Sequence, residues 1–251
     1  MNFLPLSWPR HRRVGAAITT RREGGSVGPY AKGNLAVHVG DKNDTVWANR
    51  ARLEHDIGMK IQWLSQVHGT RIHMQSSTTL LTPEVDGVYS RMPGHALAVL
   101  TADCLPLLIC NAAGDEIAAV HAGWRGLAAG VITECLTCFS SPCAQLNVYL
   151  GPGISQRYFE VGSEVVEAFY EAEKERPYGQ SVEMAFQQTG LQRWHADLYA
   201  LARFELQGAG VNTIYGGDYC TFAMQEHFFS YRRDGQTGRF ASLIWLTPDV
   251  V

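Results

Sequence analysis

Apolar runs, not an even alternation, dominate the middle of the chain. Leu97 to Leu100, Leu105 to Cys110 and Ile117 to Val120 are each apolar and short enough to be strands. Such runs fit strands whose two faces are both covered, as opposed to a sheet with one wet side. They bracket polar turns: Thr101-Ala102-Asp103-Cys104 follows the first, and the third ends at His121. Leu146 to Leu150 predicts a further buried strand, closed by Gly151-Pro152-Gly153. The stretch Tyr219 to Leu246 reads as mostly β, with Phe240 to Trp245 as the last strand.

Helical spacing alternates with these runs. Asp44 to Ile57 predicts a helix with an Asp cap, no internal breaker and Gly58 just past its end. Its apolar stripe is Val46, Leu53 and Ile57, and Arg50 falls on that same stripe. Leu127 to Phe139 predicts a second helix, with Leu127, Val131, Cys135 and Cys138 on one face, led in by Gly123-Trp124-Arg125-Gly126. Asp197 should cap a third, with Leu198, Leu201, Ala202 and Leu206 inward and Gly208 after it. Arg22 to Gly33 carries four glycines and a proline and reads as a loop. Strands and helices mix throughout, and no repeat or linker divides residues 1–251. The expected class is α/β: a single domain, layered around a mixed β-sheet.

Composition narrows the function classes. With 46% hydrophobic and 18% charged residues in 251, the chain can form a core, which excludes disorder as its main state. Lys plus Arg number 21 against 24 Asp plus Glu, a net charge of −3, which argues against a nucleic-acid partner. The longest apolar stretch, Ala96 to Ala113, is broken by Asp103, Pro106 and Asn111, so no membrane span is expected. The basic cluster in Met1 to Arg13 follows Pro5, Trp8 and Pro9 instead of leading an apolar run, unlike a signal peptide. A cytoplasmic protein is expected, its six cysteines free thiols or ligands. Nothing implies an oligomer.

His68, Cys104 and His121 stand where apolar strands end, the usual place for ligand sites in open sheets. Two His and one Cys are a three-donor set for a catalytic zinc with its fourth position open. Three satisfied core residues are the competing explanation, since the spacing is no local zinc motif. Arg50 is costly on an apolar face unless it meets a carboxylate or faces an anion site. Gly123 to Gly126 opens a helix, where free N–H groups and Arg125 favour anions. Arg232 and Arg233 form a second basic cluster. Cys135 and Cys138 lie late in a helix on its apolar stripe, so they read as core and not as a redox pair. Gly151-Pro152-Gly153 is no phosphate-loop motif, and the histidines are not arranged for several coppers.

The motifs together resemble the YfiH family, also called the laccase-domain or multicopper polyphenol oxidase family, which includes mammalian FAMIN. The matching segments are Asn34-Leu35 with His38-Val39-Gly40-Asp41, Asn49-Arg50, Gln66-Val67-His68-Gly69, Asp86-Gly87 and Thr101-Ala102-Asp103-Cys104-Leu105-Pro106. They continue with His121-Ala122-Gly123-Trp124-Arg125-Gly126, Leu150-Gly151-Pro152, Phe159-Glu160-Val161-Gly162, Asp197-Leu198, Cys220-Thr221 and Phe229-Ser230-Tyr231-Arg232-Arg233.

The resemblance implies a layered fold likened to cysteine hydrolases, and metal ligands at His68, Cys104 and His121. It implies zinc, with copper claimed for an oxidase activity. It implies purine nucleoside phosphorylase, methylthioadenosine phosphorylase and adenosine deaminase activity, with nucleoside and phosphate as small-molecule partners. On that reading Asn34, Arg50, Arg125 and Arg232 are expected to hold substrate and phosphate, and Asp103 to move protons. The alternative is peptidoglycan editing, an amidase removing L-Ser from UDP-MurNAc-L-Ser, through metal-activated water or with Cys104 as nucleophile and His121 as base. A structural zinc site in a non-enzymatic protein would want a fourth protein ligand, and the sequence offers three strong ones.

Overall fold

The continuous apolar runs are explained by a chain that stacks two sheets and covers both outer faces. The computed structural model describes residues 1–76 and 81–247. In chain order its strands are β1 (Val14–Ile18), β2 (Lys60–Gln62), β3 (Ile72–Gln75), β4 (Gly87–Ser90), β5 (His95–Thr101), β6 (Leu105–Asn111) and β7 (Ile117–Ala122). Then come β8 (Leu146–Leu150), β9 (Glu160–Gly162), β10 (Phe186–Gly190), β11 (Arg193–Ala196), β12 (Thr213–Gly216) and β13 (Phe240–Leu246). The helices are α1 (Asn43–Ile57), α2 (Trp124–Ala129), α3 (Val131–Thr137), α4 (Ser163–Glu175), α5 (Leu198–Gly208) and α6 (Tyr231–Asp234).

One sheet has the order β1-β13-β5-β2 and the larger one β12-β8-β6-β7-β4-β3, with β10-β11-β9 as a small third. Both large sheets mix parallel and antiparallel pairs. Side chains alternate across each strand, and both sets are apolar. On β6 and β7, Leu105, Leu107, Ile109, Val120 and Ala122 face Leu127, Val131, Phe169 and Leu201 of the helices. Leu108, Cys110, Ile117 and Ala119 face the other sheet, meeting Leu97, Val99, Phe240 and Ile244. The far face of that sheet, Ala96, Ala98, Leu100 and Leu243, packs on Leu53 of α1. The order of layers is helix, sheet, sheet, helices: mixed α/β in a single domain, as the patterning predicts. Among the described residues no helix is long and apolar enough to cross a membrane.

Three local expectations need correction. Gly130 takes a left-handed φ of 94° and divides the helix expected over Leu127 to Phe139 into α2 and α3. Lys42, not Asp44, stands at the start of α1, and no side chain caps it. The region Tyr219 to Leu246 is mostly turns around the short α6, with β13 its one named strand. Apolar residues such as Phe228 and Phe229 are buried there as loop anchors, which imitates a strand pattern. Gly58 ends α1 at φ 72°, and the Asp197 side chain accepts from Ala200 N at 3.0 Å, both as the sequence predicts.

Candidate metal centre and active site

The β5–β6 connection crosses from one sheet to the other in a tight turn, and Cys104 is its last residue. Asp103 before it adopts φ 104°, an uncommon conformation for a residue with a side chain. Leu105 pairs with Ala122, so the register sets Cys104 beside the end of β7, where His121 sits. His68 arrives from a separate loop, itself at φ 60°. Strain of this kind collects where a surrounding structure holds a functional group in place.

Asp86 holds that loop. Its carboxylate accepts from the backbone N–H groups of Val67, His68 and Gly69 at 3.2, 2.9 and 2.6 Å. Its Oδ1 also lies 2.8 Å from Nδ1 of His121, and its carbonyl accepts from His121 N. Burial opposes ionisation of Asp86, but the bond from His121 and the N–H groups outweigh it and lower its pKa. A carboxylate only accepts, so Nδ1 of His121 carries the proton and Nε2 remains for the cavity.

The His68, Cys104 and His121 donor atoms lie within 4.8 Å of one another, and among the described residues this is the one such cluster. Cys104 Sγ is 3.9 Å from His68 Nε2, and the two imidazole rings meet edge to face with centroids 4.8 Å apart. Burial alone would raise the Cys104 pKa; the charge and hydrogen bond of His121, then those of His68, bring it down. His121 is raised against its own burial by Cys104 and Asp86. Gly123 leaves the room: a Cβ there would stand 2.8 Å from His68 Cδ2 and 3.2 Å from Cys104 Sγ. A thiolate-prone Cys, an oriented His and a second His converging on one point suit a soft-to-borderline metal ion with an open coordination position.

These groups border a cavity of about 310 Å³, also lined by His38, Gln66, Phe159, Tyr231, Arg232 and Arg239. Gln66 exchanges both amide bonds with the Leu100 backbone at 2.8 Å, which fixes one wall. Arg239 donates Nη1 to the Thr237 and Gly238 carbonyls, and its remaining guanidinium nitrogens have no hydrogen-bond partner among the described residues. Burial lowers its pKa, while Cys104 and Asp103 pull the other way. His38 is held toward its neutral form by burial and then by Arg239.

Of the residues expected at the site, His68, Cys104, His121, Asp103 and Arg232 line this cavity; Asn34, Arg50 and Arg125 do not. Asn34 is fully buried and holds the frame: its Oδ1 accepts from Ala36 N and Arg239 N, and its Nδ2 donates to Asp41. Arg125 lies over its own neighbour Trp124, 4.3 Å from the ring centre. Arg50 turns to Trp63 and to the Leu35 carbonyl in a separate cavity. Asp103 accepts from Thr221 Oγ1 at 2.6 Å and from Arg232 N at 2.7 Å, so it positions the Arg232 wall. Sequence reasoning missed Arg239, and it gave no site role to Asp86 or His38 although both stand in the matching segments. An Asp opening a strand that pairs with the His121 strand was a legible signal for Asp86; nothing local marked Arg239.

Layered mixed sheets with a His-Cys-His cluster at the strand ends define a compact α/β protein with a candidate metal centre. The chain belongs to the family described as multi-copper polyphenol oxidoreductase laccase, whose model matches residues 15–247. It is 46% identical, over 95% of this chain and 96% of the relative, to an Escherichia coli (strain K12) protein named purine nucleoside phosphorylase YfiH. A Pseudomonas aeruginosa protein also named as a purine nucleoside phosphorylase is 43% identical over 97% of this chain and 98% of its own. A crystal structure of a Neisseria meningitidis protein superposes with TM-score 0.93 at 43% identity, covering 99% of this chain and 100% of that one. The crystal structure of YlmD from Geobacillus stearothermophilus gives 0.88 at 28% identity, over 98% and 99%. The family name speaks of several coppers, whereas the described residues offer a single three-donor cluster.

Proposed function

We propose that the chain is a metal-dependent enzyme of purine nucleosides, acting as one catalytic domain. It would phosphorolyse nucleosides, methylthioadenosine among them, and deaminate adenosine, in the cytoplasm. The observation that carries the reading is the placement of three metal donors and a partly unpaired guanidinium, Arg239, on one nucleoside-sized cavity. The names borne by the relatives point the same way. His68, Cys104 and His121 would hold the metal, zinc by the donor set and the open position, with copper the other candidate. A divalent ion held there supplies Lewis acidity to an oxygen or nitrogen of the substrate.

The rest falls to the chain's own side chains. Arg239, with Arg232 beside it, would take the phosphate that Arg50 and Arg125 are not placed to take. Neutral His38 would bond a ribose hydroxyl as donor or acceptor. Phe159 and Tyr231 offer apolar surface to a purine ring. Asp86 keeps His121 in one tautomer throughout.

Purified protein, assayed with inosine and phosphate and then with adenosine, tests this alongside its metal content. Phosphate-dependent hypoxanthine release and ammonia release that fall together on chelation are expected. Metal-replete protein that does neither would overturn it.

A second reading is favoured by one feature: Asp86, His121 and Cys104 form a carboxylate–imidazole–thiol series. That order suits a Cys nucleophile with a His base, and so an amidase removing L-Ser from UDP-MurNAc-L-Ser. Release of L-Ser from that compound by metal-free protein would favour it.

A further inference from the structure

Arg50 is 6% exposed, yet it has no ion pair among the described residues. Its Nε donates to the Leu35 carbonyl at 2.8 Å, and its terminal nitrogens have no hydrogen-bond partner there. The guanidinium carbon lies 4.0 Å from the ring centre of Trp63 and 5.1 Å from that of Trp47. A guanidinium packed on indoles hydrogen-bonds along its edge. That edge borders a cavity of about 280 Å³ that shares no lining residue with the metal-donor cavity and is lined by Trp47, Ala51, Glu54, Ile61, Trp63, Leu81 and Thr82. Glu54 is the nearest acid, but it is engaged by Lys60 Nζ at 2.7 Å and by Ile61 N at 3.3 Å. Glu54 hydrogen-bonds elsewhere, which leaves the Arg50 edge as the donor group that faces the cavity. Trp47, 54% exposed on α1, stands at its rim as an open aromatic face.

A largely buried guanidinium whose terminal nitrogens face a cavity with no protein partner is a ready anion donor, and an exposed indole beside it is an unusual use of surface. One ligand satisfies both: a planar ring carrying a carboxylate. The carboxylate would meet the terminal nitrogens of Arg50 in the fork geometry a guanidinium favours, which brings the attached ring alongside Trp47 at the rim. We propose that this cavity is a second ligand site, separate from the catalytic cavity, for a small aromatic carboxylate. An inorganic anion would use the charge but leave the indole uncovered, and a neutral aromatic would do the reverse.

Calorimetric titration with benzoate, benzamide and inorganic phosphate tests this on the intact protein. Benzoate should saturate one site; benzamide and phosphate, read by their competition against benzoate so that phosphate held at Arg239 does not count, should each be at least about tenfold weaker, since a charge-assisted pair and a stacked ring each carry about that much. Arg50→Met should abolish benzoate binding, whereas Arg239→Met, in the catalytic cavity, should leave it unchanged. Should Arg50→Met fail to fold, Trp47→Ala provides the decision and should weaken benzoate several-fold. Absence of saturable benzoate binding, loss of it in Arg239→Met, or indifference to Trp47→Ala would each overturn the proposal. Phosphate displacing benzoate at the same concentration as benzoate itself would overturn the requirement for a ring.

Discussion

Asp86 and His121 meet at 2.8 Å, carboxylate oxygen to Nδ1, with both side chains buried. The same carboxylate gathers the three N–H groups of Val67, His68 and Gly69. One residue thus sets the tautomer of His121 and the position of the loop that carries His68. Two donors from strands and loops far apart in sequence are fixed relative to each other by a single group.

Asp86→Asn should show that dependence. The amide keeps the shape but presents two hydrogens toward groups that are themselves donors. Metal affinity, read by competition with a chelator, should fall about 10- to 100-fold. Far-ultraviolet circular dichroism should stay close to that of the parent. Undiminished affinity in a folded variant would mean that the site forms without this carboxylate.

Gly123→Ala tests the room left for the donors. Its Cβ would stand 2.8 Å from His68 Cδ2 and 3.2 Å from Cys104 Sγ, so the His68 ring must move although Asp86 holds its backbone. Metal content should drop and turnover with it. Gly58→Ala is the control: nothing lies within 4 Å of a Cβ there, and only the left-handed φ of 72° resists it, so stability should fall while metal content holds.

The layers and the donor triplet were legible because each left a local trace. Both alternating faces of β6 and β7 are apolar, so the runs read as doubly covered strands. His68, Cys104 and His121 each sit where such a run stops. Arg50, by contrast, fits its helical stripe without revealing what lies opposite, and Trp63 was a stacking partner no spacing could name. Asn34 and Asp103 carry polar side chains that turned out to be spent on backbone groups of distant segments, Arg239 N and Arg232 N. Long-range pairing of this kind leaves no period in the sequence.

The anion role now rests on Arg239. Replacing it by Met removes the charge and keeps the bulk. The KM for phosphate should rise about tenfold or more, the value of one lost charge-assisted bond. Arg125→Met and Arg50→Met, whose side chains lie outside the cavity, should leave it within about twofold. An unchanged phosphate KM in Arg239→Met would move the anion elsewhere.

In metal-free protein the Cys104 thiol should ionise early. Burial would hold its pKa up, but His121 and then His68 bring it to about 6. His121, raised to about 9 by Cys104 and Asp86 against burial, stays charged beside it. The depressed pKa means that thiolate appears as pH rises through about 6, so alkylation by iodoacetamide should accelerate there and not near the ordinary ~8.5. A bound metal would occupy the sulfur, and loaded protein should resist alkylation across that range. A midpoint near 8.5 in the metal-free protein would mean the pair is not formed.

Substitution of Cys104 separates a ligand from a nucleophile. Cys104→Ala removes both functions and should abolish deamination and amide cleavage alike. Cys104→Asp keeps a group that can bind zinc but has no sulfur to form a thioester. Partial recovery in the Asp variant, together with recovered metal content, is the expected result, because Asp86 still holds the His121 ring and the His68 loop in place. The control is mass spectrometry of the parent protein quenched with substrate. A covalent adduct on Cys104, with an inert Asp variant that nonetheless binds metal, would sink the ligand role and leave the Asp86–His121–Cys104 series as the reacting machinery.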